Sequence, residues 1–130
     1  MKRIILGLSL ILMLIQNGFA KTDAEYDKKI ANESEKVWKQ TYRCNKAANN
    51  HRTTAKVSVC LKAIKIQKNT NYNHEVMLAN NYLNAGVLYD ESEGNYLKAY
   101  EFWMKSAKLG NTNAQHNLNR LCKKSPWACK

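Results

Sequence analysis

The sequence has very few of the residues that interrupt helices. It contains one proline, Pro126, and five glycines, of which three follow residue 20. Phosphate-binding loops need closely spaced glycines so that backbone N–H groups can reach the phosphate, so this class of site is excluded. Valine and isoleucine are also sparse and do not alternate with polar residues, and no strand is predicted. Because helix-forming lysine, glutamate, alanine, leucine and glutamine dominate, we predict an all-helical domain.

Only one long apolar run is present, and it lies at the N-terminus. A short basic start precedes twelve uncharged, mainly apolar residues, 4–15, and the segment ends in the small residues Gly18 and Ala20. A twelve-residue helix is about 18 Å long, short of the roughly 30 Å hydrocarbon core of a membrane. The pattern is typical of a cleaved secretory signal peptide at 1–20. We therefore predict an exported protein, periplasmic or extracellular, with a single domain at 21–130 and no stable membrane insertion.

Cysteine is limited to four residues: Cys44, Cys60, Cys122 and Cys129. An even number behind a signal peptide indicates two disulfides formed in an oxidising compartment. Three pairings are possible, and we favour Cys44–Cys60 and Cys122–Cys129 because each pair closes locally. The alternative is a zinc site, but paired cysteine ligands are usually two to four residues apart, and these pairs are sixteen and seven apart.

Acidic residues are missing from two long stretches of the chain. Residues 36–74 contain nine lysines and arginines, residues 102–130 contain six, and neither stretch contains an acid. The chain has 21 Lys and Arg against 10 Asp and Glu, and two of the basic residues lie in the signal peptide, which leaves a formal charge of +9. For an exported protein, this charge suits an acidic protein partner, an anionic lipid or a cell-wall polymer better than nucleic acid. A solvated lysine surface that aids solubility accounts for it equally well.

The apolar residues recur at intervals that predict five helices. The predicted ranges are 24–48, 53–67 with Thr53 or Thr54 as the N-cap, 74–89, 96–109 and 112–123. In the first helix, the residues predicted to face the core are Tyr26, Ile30, Val37, Trp38, Tyr42 and Ala48. Gly110 is expected to end the fourth helix in the left-handed conformation that glycine readily adopts.

Small residues are spaced regularly within the predicted helices. Ala99 and Ala107 are eight apart on the fourth helix, and Ala55 and Ala63 are eight apart on the second. Eight residues make a little over two turns, so both alanines of a pair lie on one face, where a partner helix can approach closely. Gly110 permits a tight reversal into the next helix. This spacing is what stacked helical hairpins require, because one hairpin alone cannot bury its apolar face.

Residues 79–118 resemble a Sel1-like repeat, the slightly longer relative of the tetratricopeptide repeat. The matching residues are Ala79, Ala85-Gly86-Val87-Leu88-Tyr89, Gly94, Lys98-Ala99, Phe102-Trp103, Lys105-Ser106-Ala107, Gly110, Ala114 and Leu118. Ala85 departs from the leucine of the pattern and Ser106 from its first alanine, and both are small. The match extends weakly over 35–70.

The resemblance implies a short α-α superhelix of antiparallel helix hairpins, stapled here by disulfides. The repeat-packing residues that it implies are Ala79, Gly86, Tyr89, Gly94, Ala99, Trp103, Ala107, Gly110, Ala114 and Leu118. The Cys122–Cys129 bridge would fold the tail back as a cap on the last helix, which terminal repeats need. Trp127 then either covers the core or is an exposed binding aromatic.

The sequence contains no convincing catalytic set. The histidines His51, His74 and His116 lack metal-ligand spacing, and Ser92 lacks the glycines of a nucleophile elbow. Some cysteine-rich proteins with Sel1-like repeats are associated with β-lactam binding or hydrolysis, but their cysteines follow a regular pattern that this chain does not share. We therefore predict no catalytic, metal or cofactor site, and a protein that is not an enzyme.

The resemblance implies protein binding as the function. In exported bacterial proteins with this resemblance two roles recur: an immunity protein, which inhibits a secreted effector enzyme, and an envelope adaptor. We predict one protein partner with an acidic surface; direct binding to anionic lipid or cell-wall polymer is the alternative. The candidate binding residues are the exposed lysines and Asn80, Asn81, Asn84, Asn111 and Asn113.

Overall fold

The computed structural model describes residues 2–50, 56–72 and 74–130, with side chains from residue 24 onward. Five α-helices and a short 3₁₀ helix follow one another: α1 Lys2–Asn49, α2 Ser58–Lys68, α3 Glu75–Glu91, α4 Tyr96–Lys108, α5 Thr112–Lys124 and the 3₁₀ helix Pro126–Cys129. Within these ranges there is no strand, which confirms the all-helical prediction. Each helix packs against the next and α1 also contacts α3, an order of contacts compatible with a short superhelix of hairpins.

Most helix ends lie within two residues of the predicted ones, and two helix starts differ by more. Helix α1 begins at Lys2, so that the segment predicted as the signal peptide is helical and continuous with the domain. Helix α2 begins at Ser58 and has no side-chain cap; the predicted caps Thr53 and Thr54, and with them Ala55, His51 and Asn73, lie outside the described residues.

Asparagine side chains begin the last two helices. Asn95 Oδ1 accepts a hydrogen bond from the Lys98 N–H at 3.1 Å, and Asn111 Oδ1 accepts one from the Ala114 N–H at 3.0 Å. Each bond satisfies one of the N–H groups that a helix leaves without a partner in its first turn. Gly110, just after α4, has the positive φ of 86° that was expected of it.

Two disulfides join neighbouring elements. Cys44 in α1 is bonded to Cys60 in α2, and Cys122 in α5 to Cys129 in the 3₁₀ helix. These are the two local pairings that the sequence favours. The first disulfide is fully buried among apolar residues of α1, α2 and α3, whereas the second lies at the end of α5.

The contact between α3 and α4 depends on a glycine beneath a tryptophan. A Cβ atom added at Gly86 would overlap the indole ring of Trp103. That ring is buried, and its Nε1 donates a hydrogen bond to the backbone carbonyl of Leu83 at 3.2 Å. Gly86 therefore lets α4 approach the backbone of α3 closely enough to bury the largest side chain of the core.

The residues of the repeat-like pattern lie mostly at contacts between helices. The buried ones are Ala79, Gly86, Ala99, Trp103, Ala114 and Leu118. Tyr89 and Ala107 are half-buried, and Gly94 and Gly110 have positive φ. Ser106 takes the close contact expected of Ala107, because it is fully buried and its Oγ donates to the Ala79 carbonyl at 2.7 Å. The serine that departs from the pattern thus adds a hydrogen bond between α3 and α4.

The prediction that the aromatic residues of α1 face the core is wrong. Tyr26, Trp38 and Tyr42 are 61%, 59% and 65% exposed, while Val37 and Cys44 are buried. Successive helical residues are turned by 100°, so Trp38 lies one step round the helix from Val37 and outside the core. Because aromatics and core residues both recur at helical spacing, periodicity alone cannot separate two adjacent apolar faces.

The core-lid interpretation of Trp127 is wrong as well. Its side chain is 58% exposed, although its ring lies 6.0 Å from that of Tyr96. Ala128 and Ser125 are the buried residues of the tail. The Cys122–Cys129 bridge therefore closes the end of α5 with small residues and leaves the tryptophan outside.

Replacing Gly86 by alanine should destabilise the protein by about 1–3 kcal/mol, because a methyl group would be forced into the Trp103 ring. In an uncrowded helix the same change would stabilise by roughly 0.5–1 kcal/mol, so the sign of the effect is diagnostic. Urea unfolding followed by circular dichroism measures it. In a Trp103→Phe background, where the smaller ring leaves space, the added cost of Gly86→Ala should shrink; equal costs in both backgrounds would contradict the contact.

Removing the Cys44–Cys60 bridge with Cys44→Ala/Cys60→Ala should lower the free energy of unfolding by about 3 kcal/mol, because the unfolded chain gains the entropy of an open loop. The Cys122–Cys129 bridge closes a shorter loop, so the matched variant Cys122→Ala/Cys129→Ala should lower the free energy of unfolding by about 2 kcal/mol. Urea unfolding of the two double variants compares them. A larger loss from the C-terminal pair would show that loop entropy does not govern these bridges.

Candidate functional site

A groove of about 620 Å³ is open on one side of the molecule, between α1, α3 and the start of α5. Its described lining residues are Trp38, Thr41, Tyr42, Asn45, Asn49, His74, Val76, Met77, Asn80, Leu83, Asn84 and Asn113. Helix α3 forms its floor, since it packs between α1 and α4. The size is within the range of sites that bind a small molecule or a short chain segment.

The α1 wall of the groove is one stripe of side chains. Trp38, Tyr42, Asn45 and Asn49 follow one another at intervals of four, three and four, which places them on one face of the helix. The stripe is therefore aromatic at one end and amide-bearing at the other. Val76, 63% exposed, adds a third large apolar side chain at the mouth of the groove.

Asparagine amides run along the floor and connect the walls. Asn45 Oδ1 accepts from Asn49 Nδ2 at 3.1 Å and from Asn84 Nδ2 at 3.5 Å, which joins α1 to α3. On the other side, Asn111 Nδ2 donates to Asn80 Oδ1 at 3.0 Å. These contacts position the amides. Asn45 Oδ1 accepts two hydrogen bonds and keeps only its N–H donors free, while Asn49, Asn80 and Asn84 keep both donor and acceptor capacity, since each amide has two N–H donors and an oxygen with two lone pairs.

A buried polar cluster lies behind the groove. Asn81 Nδ2 donates to Thr41 Oγ1 at 3.0 Å and to Gln67 Oε1 at 3.2 Å, and Gln67 Nε2 donates to the His74 carbonyl at 2.6 Å. These bonds join α1, α2 and the start of α3. Asn81 Oδ1 is buried and has no hydrogen-bond partner among the described residues. Because Asn81 is fully buried, it holds the helices together and is not a surface residue available to a partner.

The candidate asparagines therefore divide into two groups. Asn80, Asn84 and Asn113 line the groove, with Asn84 only 8% exposed at its base, whereas Asn81 is buried behind it and Asn111 caps α5. The predicted role as surface binding residues is thus wrong for Asn81. Sequence reasoning missed Trp38, Tyr42, Val76, Asn45 and Asn49 as site residues. The 38-42-45-49 spacing is the available signal, but the apolar pattern of the first helix places Trp38 and Tyr42 among the core residues.

The described lining of the groove carries no lysine, arginine or acid, and the nearest basic residues along α1 lie outside it. Lys39, Arg43 and Lys46 are exposed on α1 and lie on the face next to the groove stripe. Glu75, the residue before Val76, is the exposed acid at the start of α3.

The two groups with shifted pKa values, Lys98 and Glu101, lie on another surface of the protein. Glu101 on α4 accepts hydrogen bonds from Lys105 Nζ at 2.7 Å and Lys98 Nζ at 2.8 Å, which hold the pKa of its carboxyl below the usual value. The contacts with Glu101 likewise raise the pKa of Lys98. All three side chains are well exposed, so solvent limits their contribution to stability. None of them lines the groove.

A second, smaller cavity of about 290 Å³ lies near the C-terminal end. Its described lining residues are Asp90, Glu91, Tyr96, Trp103, Arg120, Leu121, Lys124 and Ser125. It carries charges of both signs and little apolar surface. Among the described residues, no group of three or more His, Cys, Asp and Glu side chains is placed to hold a metal ion, and no helix is long and apolar enough to cross a membrane.

Comparisons with known proteins assign no family to the chain. No family model, curated protein or solved structure gives a significant match. The resemblance of residues 79–118 to a Sel1-like repeat therefore stays a prediction. The function has to be inferred from the groove and its surroundings.

Replacing Trp38 by alanine should change the free energy of unfolding by less than about 0.5 kcal/mol, because the side chain is mostly in solvent. Trp103→Ala should cost about 3–5 kcal/mol, because it leaves a cavity in the core. Urea unfolding of the two variants compares their free energies of unfolding for the same Trp→Ala substitution. A cost for Trp38→Ala that approached the cost for Trp103→Ala would place Trp38 in the core in solution.

Proposed function

We propose that this protein is an exported protein-binding module whose groove holds a partner protein. The observation that carries the proposal is the exposure of Trp38, Tyr42 and Val76 around one concave surface. Solvent-facing apolar side chains grouped in this way are typical of interaction sites. Tryptophan and tyrosine are also the residues that most often dominate binding energy at protein interfaces.

The exposed basic residues of α1 and the charge of the chain support a partner with an acidic surface. Lys39, Arg43 and Lys46 are exposed on the same helix as the groove stripe, and the predicted mature chain carries a formal charge of +9. Opposite charges on two proteins accelerate their encounter, and screening by salt reduces the effect. A small inhibitor that must capture a toxic enzyme quickly benefits from such steering.

The two disulfides support export to an oxidising compartment such as the periplasm. Together with the signal-like N-terminal segment and the Sel1-like pattern, they favour a specific role. We propose an immunity protein that inhibits a secreted effector enzyme, with no catalytic activity of its own. An envelope adaptor would use the same groove; it differs in that its partner's activity is unchanged by binding.

Tagged mature protein, oxidised, should capture one stoichiometric partner from the envelope fraction of its own cells at low salt. Raising the ionic strength should reduce the capture, because salt screens the positive charge of the chain. The variant Trp38→Ala/Tyr42→Ala should lose the partner. Trp127→Ala, which removes an equally exposed tryptophan outside the groove, is the matched control and should retain it.

Capture that survives Trp38→Ala/Tyr42→Ala would show that the groove is not the binding surface. If neither salt condition yields a protein, and the chain binds saturably to vesicles of anionic lipid, the protein-binding function is wrong. Where a partner is captured, an assay of its enzymatic activity with and without the purified protein separates an inhibitor from an adaptor.

A further inference from the structure

The groove offers an unusual combination of contacts for a protein surface. Its walls and floor carry five asparagines, Asn45, Asn49, Asn80, Asn84 and Asn113, beside an aromatic and aliphatic end. An amide presents a donor and an acceptor together, as a peptide group does. The same amides therefore match a main chain in which N–H and C=O groups are both without internal partners.

An extended segment meets this condition and a helix does not. In a helix the backbone N–H and C=O groups bond to one another along the segment, so only its side chains remain for recognition. In an extended chain both groups of every residue are available. The amide-bearing part of the groove would then have main-chain partners only in the extended case.

The dimensions of the stripe indicate how much chain is held. Trp38 to Asn49 is eleven helical steps, which corresponds to about 16 Å along α1. At roughly 3.3 Å per residue, an extended segment of about five residues spans that length. Such a segment would present one or two side chains to the aromatic end, because alternate side chains of an extended chain point to the same side.

The charges indicate which side chains flank that segment. The lining residues include no acid, lysine or arginine, so a charged side chain of the ligand would find no counter-ion on the floor. Lys39, Arg43 and Lys46 lie one helical step away from the stripe. Acidic residues of the partner next to the bound segment would meet these residues on the outer surface of α1, where solvent keeps the cost of desolvation low.

From this arrangement we infer that the groove binds about five residues of a partner polypeptide in extended conformation, with the main chain hydrogen-bonded to asparagine amides. A large apolar side chain of the segment lies between Trp38, Tyr42 and Val76, and acidic residues flank it. The inference rests on the proposed protein-binding function and names the part of the partner that is recognised.

The test uses phage-displayed random peptides of about twelve residues, a length that exceeds the segment estimated from the groove. They are panned against the mature, oxidised protein. Enriched peptides should share one large apolar residue with Asp or Glu nearby. Their affinity should fall about tenfold or more for Trp38→Ala/Tyr42→Ala, as expected for aromatic hot spots. Replacing the apolar residue of the peptide by alanine should have a similar effect.

Recognition of the main chain has its own readout. N-methylation of single peptide bonds in a synthetic copy of the best peptide removes one N–H at a time and keeps the side chains. At the bonds held by amides, it should weaken binding by about tenfold. Asn80→Ala and Asn113→Ala should weaken binding and reduce the effect of methylation. Asn119→Ala, on the same helix as Asn113 and outside the groove, should have no effect.

The outcomes separate this inference from the proposed function. Peptides that bind through the groove but tolerate N-methylation at every position would overturn main-chain recognition. So would the absence of any enriched peptide while a protein partner is captured through Trp38 and Tyr42, because the groove would then hold a folded surface. Peptides that bind as predicted without capture of an envelope protein would support the inference and contradict the immunity role. If an acidic peptide without an apolar residue bound as tightly as the enriched peptides, binding would be explained by non-specific charge attraction and the inference would be wrong.

Discussion

The contact of Trp103 with Gly86 is the constraint on which the rest of the structure depends. Helix α3 packs against α1, α2 and α4, and this contact sets how closely α4 approaches it. The hydrogen bond from Ser106 to Ala79 fixes α4 at a second point. Since α5 follows α4 after the turn at Gly110, the position of the α5 wall of the groove depends on how α4 packs against α3.

The exposed face of α1 depends on a separate set of constraints. The Cys44–Cys60 bridge ties α1 to α2, and Asn81 joins it to α3 through Thr41. Val37 is also buried on this side of the helix. With three contacts on one face, α1 cannot rotate to bury Trp38 without breaking them. The apolar side chains of the groove are therefore held in solvent by the core rather than by any preference of their own.

Much of the architecture follows from the sequence, and most of the site does not. Helix-forming composition predicts five helices, and Gly110 ends α4 as expected because only a residue tolerant of positive φ fits there. The eight-residue alanine spacing predicts a crowded crossing but not that Ser106 would occupy it. The groove could not be predicted because Trp38 has the same spacing signature whether it faces the core or a partner. Only the rotation of α1, set by distant contacts, distinguishes the two.

The asparagines give a physical reason to regard the groove as selected for binding. Asparagine is among the weaker helix formers, up to about 0.7 kcal/mol per residue less favourable than alanine inside a helix. Yet Asn45, Asn49, Asn80 and Asn84 all lie within α1 or α3 and line one groove. Alanines there would favour the helices and remove no charge. Four such residues that line one groove beside exposed aromatics are a local cost without a gain for the helices, and such costs are expected at functional sites.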